Sequence, residues 1–155
     1  MFANQKTQLS AHPPGKDTAS AVRSLSVSSY LLLARVFLAC LILQVFFAGL
    51  GLMVHADFLA WHRSFGETTA VFLPMLMIVA ALVGRLPLRL TLFTVLLLIM
   101  YLLQWLLVYA PISIAGLRIL RALHPVNGLL MFWLTLVLVR HSVQHVSRRN
   151  RHEHL

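Results

Sequence analysis

Two histidines, each followed by a glycine one helical turn later, are the residues best suited to chemistry in this chain. His62 precedes Gly66 and His124 precedes Gly128, both by four positions. Residues i and i+4 share one face of a helix, so each imidazole has a position without a side chain next to it. Neutral imidazole is a common metal ligand, and a flat macrocycle bound through it needs such a gap. The repeat therefore predicts a metal held in a planar ring.

A glutamine precedes each histidine at a similar distance. Gln44 lies 18 residues before His62, and Gln104 lies 20 residues before His124. A buried amide needs a hydrogen-bond partner, so each glutamine could orient an imidazole N–H or bond a ligand directly. Hydrogen bonding between helices without any ligand explains the glutamines equally well. The pattern indicates two related hairpins, each with a glutamine on one helix and a histidine on the next.

Four apolar segments must position these residues. Each is close to the roughly 20 residues that a membrane-spanning helix needs, and none alternates as a barrel strand does. They predict an all-α, integral membrane four-helix up-down bundle over residues 30–146. The predicted helices are about 30–54, 58–84, 88–109 and 117–142, between a disordered N-terminal tail at 1–29 and a basic C-terminal tail at 147–155.

Composition excludes a soluble domain. Of the 155 residues, 59% are hydrophobic, 13 are Lys or Arg and 4 are Asp or Glu, and mean hydropathy is +0.83. The net charge of +9 would suit a nucleic-acid partner, but the basic residues flank apolar runs. We therefore expect a lipid bilayer and no nucleic acid as partner. Cys40, the only cysteine, excludes a disulfide framework and a cysteine-based zinc site.

The positions of the basic residues predict an orientation. Cytoplasmic ends of membrane helices carry an excess of Lys and Arg. Arg63, Arg118 and Arg121 lie on the side of the two histidines, and ten basic residues lie on the other side. Both termini are therefore predicted to be cytoplasmic, with the histidines near the outer surface. The ten are Lys6, Lys16, Arg23, Arg35, Arg85, Arg89, Arg140, Arg148, Arg149 and Arg151.

A b-type haem with His62 and His124 as axial ligands to its iron explains these features together. Its propionates would need cations at the membrane surface, which the three outer arginines provide. His62 lies 23 residues before Arg85, and His124 lies 16 before Arg140. A tilt, Pro74, Pro125 or a longer fourth helix must offset this difference of roughly 10 Å in depth. The predicted cofactor-binding residues are His62, His124, Gly66, Gly128, Gln44, Gln104, Arg63, Arg118 and Arg121.

With His62-Arg63 and His124-Pro125-x-Asn127-Gly128, residues 30–146 resemble small four-helix bacterial membrane proteins that have no assigned function. They also resemble one half of heme A synthase, whose halves are four-helix bundles with paired histidines for haem near the outer surface. The resemblance implies that His62 and His124 are axial ligands and that the protein lies in the bacterial inner membrane. Because this chain is a single half, the two-site arrangement of that enzyme would require a dimer.

Several alternatives remain open at this stage. A haem protein of this kind would transfer electrons or sense or handle haem, with a quinone, a redox partner protein, a second copy or a larger complex as partner. A cofactor-free structural subunit or small transporter is the main alternative, and a haem-modifying enzyme is a further one. His55, Asp57 and Glu67, with His62, could instead bind a divalent metal outside the membrane. Met53 or Met131 could replace one histidine as axial ligand.

Overall fold

The computed structural model of the chain describes residues 15–69, 71–109 and 115–153, with side chains described over 18–69, 71–109 and 119–148. Every regular element in these ranges is a helix. In chain order they are α1 (Gly15–Met53), α2 (Phe58–Thr69), α3 (Phe72–Val83), α4 (Leu88–Tyr109), a 3₁₀ helix (Ala115–Ala122) and α5 (Leu123–Glu153).

Four helical stretches are long and apolar enough to cross a membrane. They confirm the predicted all-α membrane bundle and the number of its spans. The second span combines α2 and α3, and the fourth combines the end of the 3₁₀ helix with most of α5. The four spans are Thr18–Met53, Phe58–Val83, Leu88–Tyr109 and Ile119–Arg148.

The helices form a ring in which each span packs beside two others. Helix α1 packs against α2, α3 and α5, and α4 packs against α3 and α5. The second and fourth spans therefore lie diagonally across the bundle. They run in the same direction, as alternate helices of an up-down bundle do. This arrangement brings the faces that carry His62 and His124 toward the same central space.

A packed core fills the half of the bundle away from the histidines. Each span contributes a wholly buried side chain to it, and two polar residues meet there. The Tyr30 hydroxyl lies 2.6 Å from Thr94 Oγ1, whose own hydroxyl donates to the Leu90 carbonyl at 2.8 Å. The large apolar side chains that remain exposed are those expected to contact lipid. The wholly buried apolar side chains of this core are Tyr30, Ala34, Phe37, Met77, Ala81, Leu97 and Leu138.

Both terminal helices are longer than predicted. Helix α1 begins at Gly15, inside the predicted tail, and α5 continues to Glu153, inside the predicted basic tail. Adding residues to an existing helix is far easier than nucleating one, so each spanning helix continues through polar sequence outside the apolar segment. Residues 1–14 and 154–155 of the predicted tails lie outside the described residues.

Proline shapes the second and fourth spans differently. A proline inside a helix has no N–H to donate to the carbonyl four positions earlier. In the second span, α2 ends at Thr69, and α3, which contains Pro74, begins at Phe72. Pro125 is the third residue of α5, where the backbone N–H needs no partner within the helix. The chain therefore passes from the 3₁₀ helix into α5 without a break at this proline.

Candidate functional site

The rings of His62 and His124 lie side by side in the centre of the bundle. Their centroids are 6.2 Å apart and their planes are inclined by 76°. Both side chains are half-buried. The difference in depth expected from the sequence does not separate the two rings, because α5 continues beyond Arg140 to Glu153. The structure thus brings together two imidazoles from diagonal helices.

His62 is oriented by the backbone of α1. Its Nδ1 lies 2.9 Å from the carbonyl oxygen of Gln44. A carbonyl oxygen can only accept a hydrogen bond, so Nδ1 carries the proton and Nε2 of the neutral ring keeps its lone pair. The sequence predicted an orienting role for the Gln44 side chain, but the main chain of that residue performs it. Gln44 Oε1 is buried and has no hydrogen-bond partner among the described atoms.

His124 is oriented by the side chain of Gln104, which contacts the ring nitrogen that carries no proton rather than the imidazole N–H considered from the sequence. Asn127 Nδ2 donates to Gln104 Oε1 at 2.6 Å and to the Met100 carbonyl at 2.8 Å. Gln104 therefore turns Nε2 toward His124, where it lies 3.3 Å from the ring Nε2. Since the amide donates, His124 Nε2 accepts, and the proton of the neutral ring is on Nδ1. That Nδ1 is buried without a partner in the part of the chain that the structure describes.

Asn127 was not predicted as a site residue, although it lies in the quoted motif around His124. It is buried, and it connects α5 to α4 through its hydrogen bonds to Gln104 and Met100. The signal available in the sequence was its position three residues after His124, which places it on the same helix face. An asparagine on that face of an apolar helix requires partners in the bundle.

Each glycine of the repeat lies against the glutamine of its own hairpin. A side chain at Gly66 would collide with the Gln44 amide nitrogen, and a Cβ at Gly128 would lie 3.5 Å from Gln104 Nε2. The two related hairpins inferred from the sequence therefore share this contact in three dimensions. The prediction of an open gap beside each imidazole needs correction at Gly66, because the Gln44 amide fills the space there.

A polar cluster at the outer edge of the site links α2 to α4. The Tyr109 hydroxyl donates to Glu67 Oε1, and the Arg63 guanidinium lies 5.8 Å from the Tyr109 ring centroid. The Tyr101 hydroxyl lies 3.5 Å from the Gly66 carbonyl. Arg63 thus stands beside the site, and its predicted contact with a cofactor stays a prediction. Arg121 is exposed, and the side chain of Arg118 lies outside the described residues.

The alternative of an outer divalent-metal site is not supported. His55 Nδ1 pairs with Asp57 Oδ2 at 3.2 Å, whereas Glu67 accepts the bond from Tyr109. Within residues 15–69, 71–109 and 115–153, no three His, Cys, Asp or Glu residues come close enough to hold a metal ion. Of the residues considered for this metal site, His55 and Asp57 therefore contact each other, whereas Glu67 contacts Tyr109 instead.

The two methionines considered as ligands lie in different environments. Met53 is 85% exposed at the end of α1, away from the paired rings. Met131 is 2% exposed, and its sulfur lies 3.9 Å from Asn127 Nδ2. Met131 therefore lies beside Asn127 in the hydrogen-bonded group that orients His124, whereas Met53 is exposed.

A protein family described as "Family of unknown function (DUF6220)" matches residues 44–111. The matched segment covers less than half of the chain, beginning at Gln44 and including His62 and Gln104 but not His124. No curated protein and no solved structure matches the chain. The similarity to one half of heme A synthase therefore stays a prediction from the sequence motifs.

Proposed function

We propose that this chain is a haem-b-binding integral membrane protein in which His62 and His124 are the axial ligands of one iron. The observation that carries the proposal is the 6.2 Å separation of the two ring centroids. Imidazole nitrogens bind metals at about 2 Å, so two rings on opposite sides of one metal have centroids about 6 Å apart. Rotation about the nitrogen–metal bonds leaves that distance unchanged, which makes an inclination of 76° compatible with shared ligation.

The hydrogen bonds make the two proposed ligands unequal. With Nδ1 held by the Gln44 carbonyl, His62 offers the lone pair of Nε2 without any rearrangement. In His124 the Nε2 lone pair accepts from Gln104, so coordination requires the Gln104 amide to turn away. His62 would thus bind the iron without rearrangement, whereas His124 would bind it only after the Gln104 amide had turned away from the ring. The unpartnered Gln44 Oε1 and His124 Nδ1 further support a polar occupant beside the rings.

The charges at this end of the bundle suit the carboxylates of a haem. Arg63 follows His62 directly, and its guanidinium lies at the edge of the site beside Tyr109. Arginine forms charge-assisted hydrogen bonds with carboxylates, so Arg63 would hold a propionate near the membrane surface. Arg121, one helical turn before His124, and Arg118 are the further candidates.

When bound, the haem would supply one-electron exchange, and the surrounding side chains would hold it in a largely apolar environment. A single haem near one surface cannot carry electrons across the bilayer alone. The proposal therefore includes electron transfer with a quinone or a redox partner protein, or haem sensing or handling, within an oligomer or a larger complex. The count of Lys and Arg supports both termini in the cytoplasm and the haem near the outer surface of a bacterial inner membrane.

A second candidate is a cofactor-free structural subunit or small transporter. The observation in its favour is that Gln104, Asn127 and His124 already bond to one another and to the Met100 carbonyl. Such networks hold membrane helices together without any ligand. A haem-modifying activity like that of heme A synthase would need a second haem site, which a dimer of this chain would supply.

The redox difference spectrum of the purified chain tests the proposal. We expect protein expressed with added haem precursor and purified in detergent to show a Soret band and separate α and β bands on reduction. Extracted pigment should be haem b at about one haem per chain, the ratio that a single bis-histidine site allows. Colourless protein after expression with excess haem, with intact helical circular dichroism, would support the cofactor-free candidate instead.

A further inference from the structure

A cleft lies at the end of the bundle opposite the histidines. It has a volume of about 330 Å³ and separates the beginning of α1 from the end of α3. Two arginines and two valines line it, so cationic groups and apolar walls occur together at the end of two membrane spans. The lining residues are Thr18, Ala19, Val22, Arg23, Val83 and Arg85.

Close packing of α3 on α1 brings the two arginines to the same cleft. A Cβ at Gly84 would lie 3.2 Å from Val27 Cγ2 and 3.4 Å from Ser26 Cβ, so the glycine allows the helices to approach. The next residue, Arg85, has φ 50°, a left-handed conformation that is uncommon outside glycine. This turn ends α3 and leaves Arg85 beside the turn of α1 that carries Arg23.

The positive charge of the cleft is not neutralised by the described carboxylates. Neither Arg23 nor Arg85 forms an ion pair in the part of the chain whose side chains are described. The acidic side chains within those ranges, Asp57 and Glu67, belong to the other end of the bundle. Two cationic side chains that line one cleft would both attract an anion bound there.

We propose that this cleft binds the phosphate of an anionic phospholipid, with Arg23 and Arg85 contacting the phosphate oxygens. Guanidinium groups form paired hydrogen bonds with phosphate. A lipid is favoured over a free anion because Val22 and Val83 are 53% and 48% exposed and lie within the spans Thr18–Met53 and Phe58–Val83. These valines would contact the acyl chain while the arginines hold the headgroup. This site is independent of any haem.

Lipid binding to the full chain in detergent, measured by native mass spectrometry, tests the site. Phosphatidylglycerol is compared with phosphatidylcholine of the same acyl chains. We expect wild-type protein to retain one phosphatidylglycerol in preference to phosphatidylcholine. The double substitution R23Q/R85Q should weaken that binding roughly 25-fold, because each basic residue near a membrane surface contributes about a fivefold attraction for anionic lipid.

The matched control is R89Q/R140Q, which removes two exposed arginines that do not line the cleft. Retention of tight binding in this control supports a specific site, whereas equal loss in both pairs overturns it. If R23Q/R85Q fails to fold, A19E places a carboxylate at the same cleft and should also abolish binding. Unchanged binding in A19E overturns the proposal. Displacement of the lipid by millimolar inorganic phosphate would overturn the assignment to a lipid.

Discussion

His62→Ala is expected to remove the haem from the purified protein. In the proposed site this side chain would bind the iron without rearrangement, because its Nδ1 is held by the Gln44 carbonyl and only its Nε2 remains for a metal. His124→Ala is expected to remove the same bis-histidine spectrum while leaving some weakly bound haem on His62. The readouts are haem content per chain and the reduced-minus-oxidised spectrum. We expect at least a tenfold loss of haem in His62→Ala, since losing only a hydrogen-bond partner of a metal ligand already costs about 10–100-fold in metal affinity.

His141→Ala is the matched control for these substitutions. His141 lies on α5 like His124, but it is exposed and distant from the paired rings. It should keep the wild-type haem content and spectrum. If His62→Ala and His124→Ala both retain the wild-type bands while His141→Ala behaves identically, the assignment of the axial ligands is wrong.

Gly66→Leu is expected to destabilise the bundle and to disturb the site together. A side chain at this position collides with the Gln44 amide, and Gln44 also supplies the carbonyl that orients His62. Overfilling a packed contact typically costs about 1–3 kcal/mol. We therefore expect a loss of that size in the free energy of unfolding, measured by denaturant titration in detergent, and a lower haem content.

Gly49→Leu separates this effect from the general cost of a larger residue. Gly49 lies on α1, and a Cβ built there meets no heavy atom within 4 Å beyond its chain neighbours and the local helix backbone. The substitution should leave both stability and haem content close to wild type. Equal stability of Gly66→Leu and Gly49→Leu would contradict the proposed close contact between Gln44 and Gly66.

The number and type of the spans could be predicted because a helix that crosses the membrane needs a run of about 20 mostly apolar residues, which is visible in the sequence. The positions of the helix ends could not be predicted in the same way. Residues 15–29 and 147–153 are helical as continuations of spanning helices, and a polar extension in water carries no hydropathy signal. The division of the second span depends on how the chain adjusts to Pro74, which a bundle can accommodate by either a kink or a break.

The pairing of His62 with His124 could be inferred because the repeat placed two histidines at similar positions in related hairpins. Their hydrogen-bond partners depended on side-chain rotamers and on the offset between helices, which residue spacing does not determine. Spacing therefore identified Gln44 but not the use of its carbonyl in place of its amide. The contact between Glu67 and Tyr109 was also missed, because neither residue belongs to the repeat that indicated the histidine pair.

Electron paramagnetic resonance of the oxidised, haem-loaded wild-type protein tests most directly whether two imidazoles share one iron. The account predicts a low-spin ferric signal, because two strong axial nitrogen ligands complete the coordination of the iron. That signal should disappear in His124→Ala and persist in His141→Ala. A high-spin ferric signal in the wild-type protein, or a low-spin signal that survives in His124→Ala, would contradict ligation by both His62 and His124.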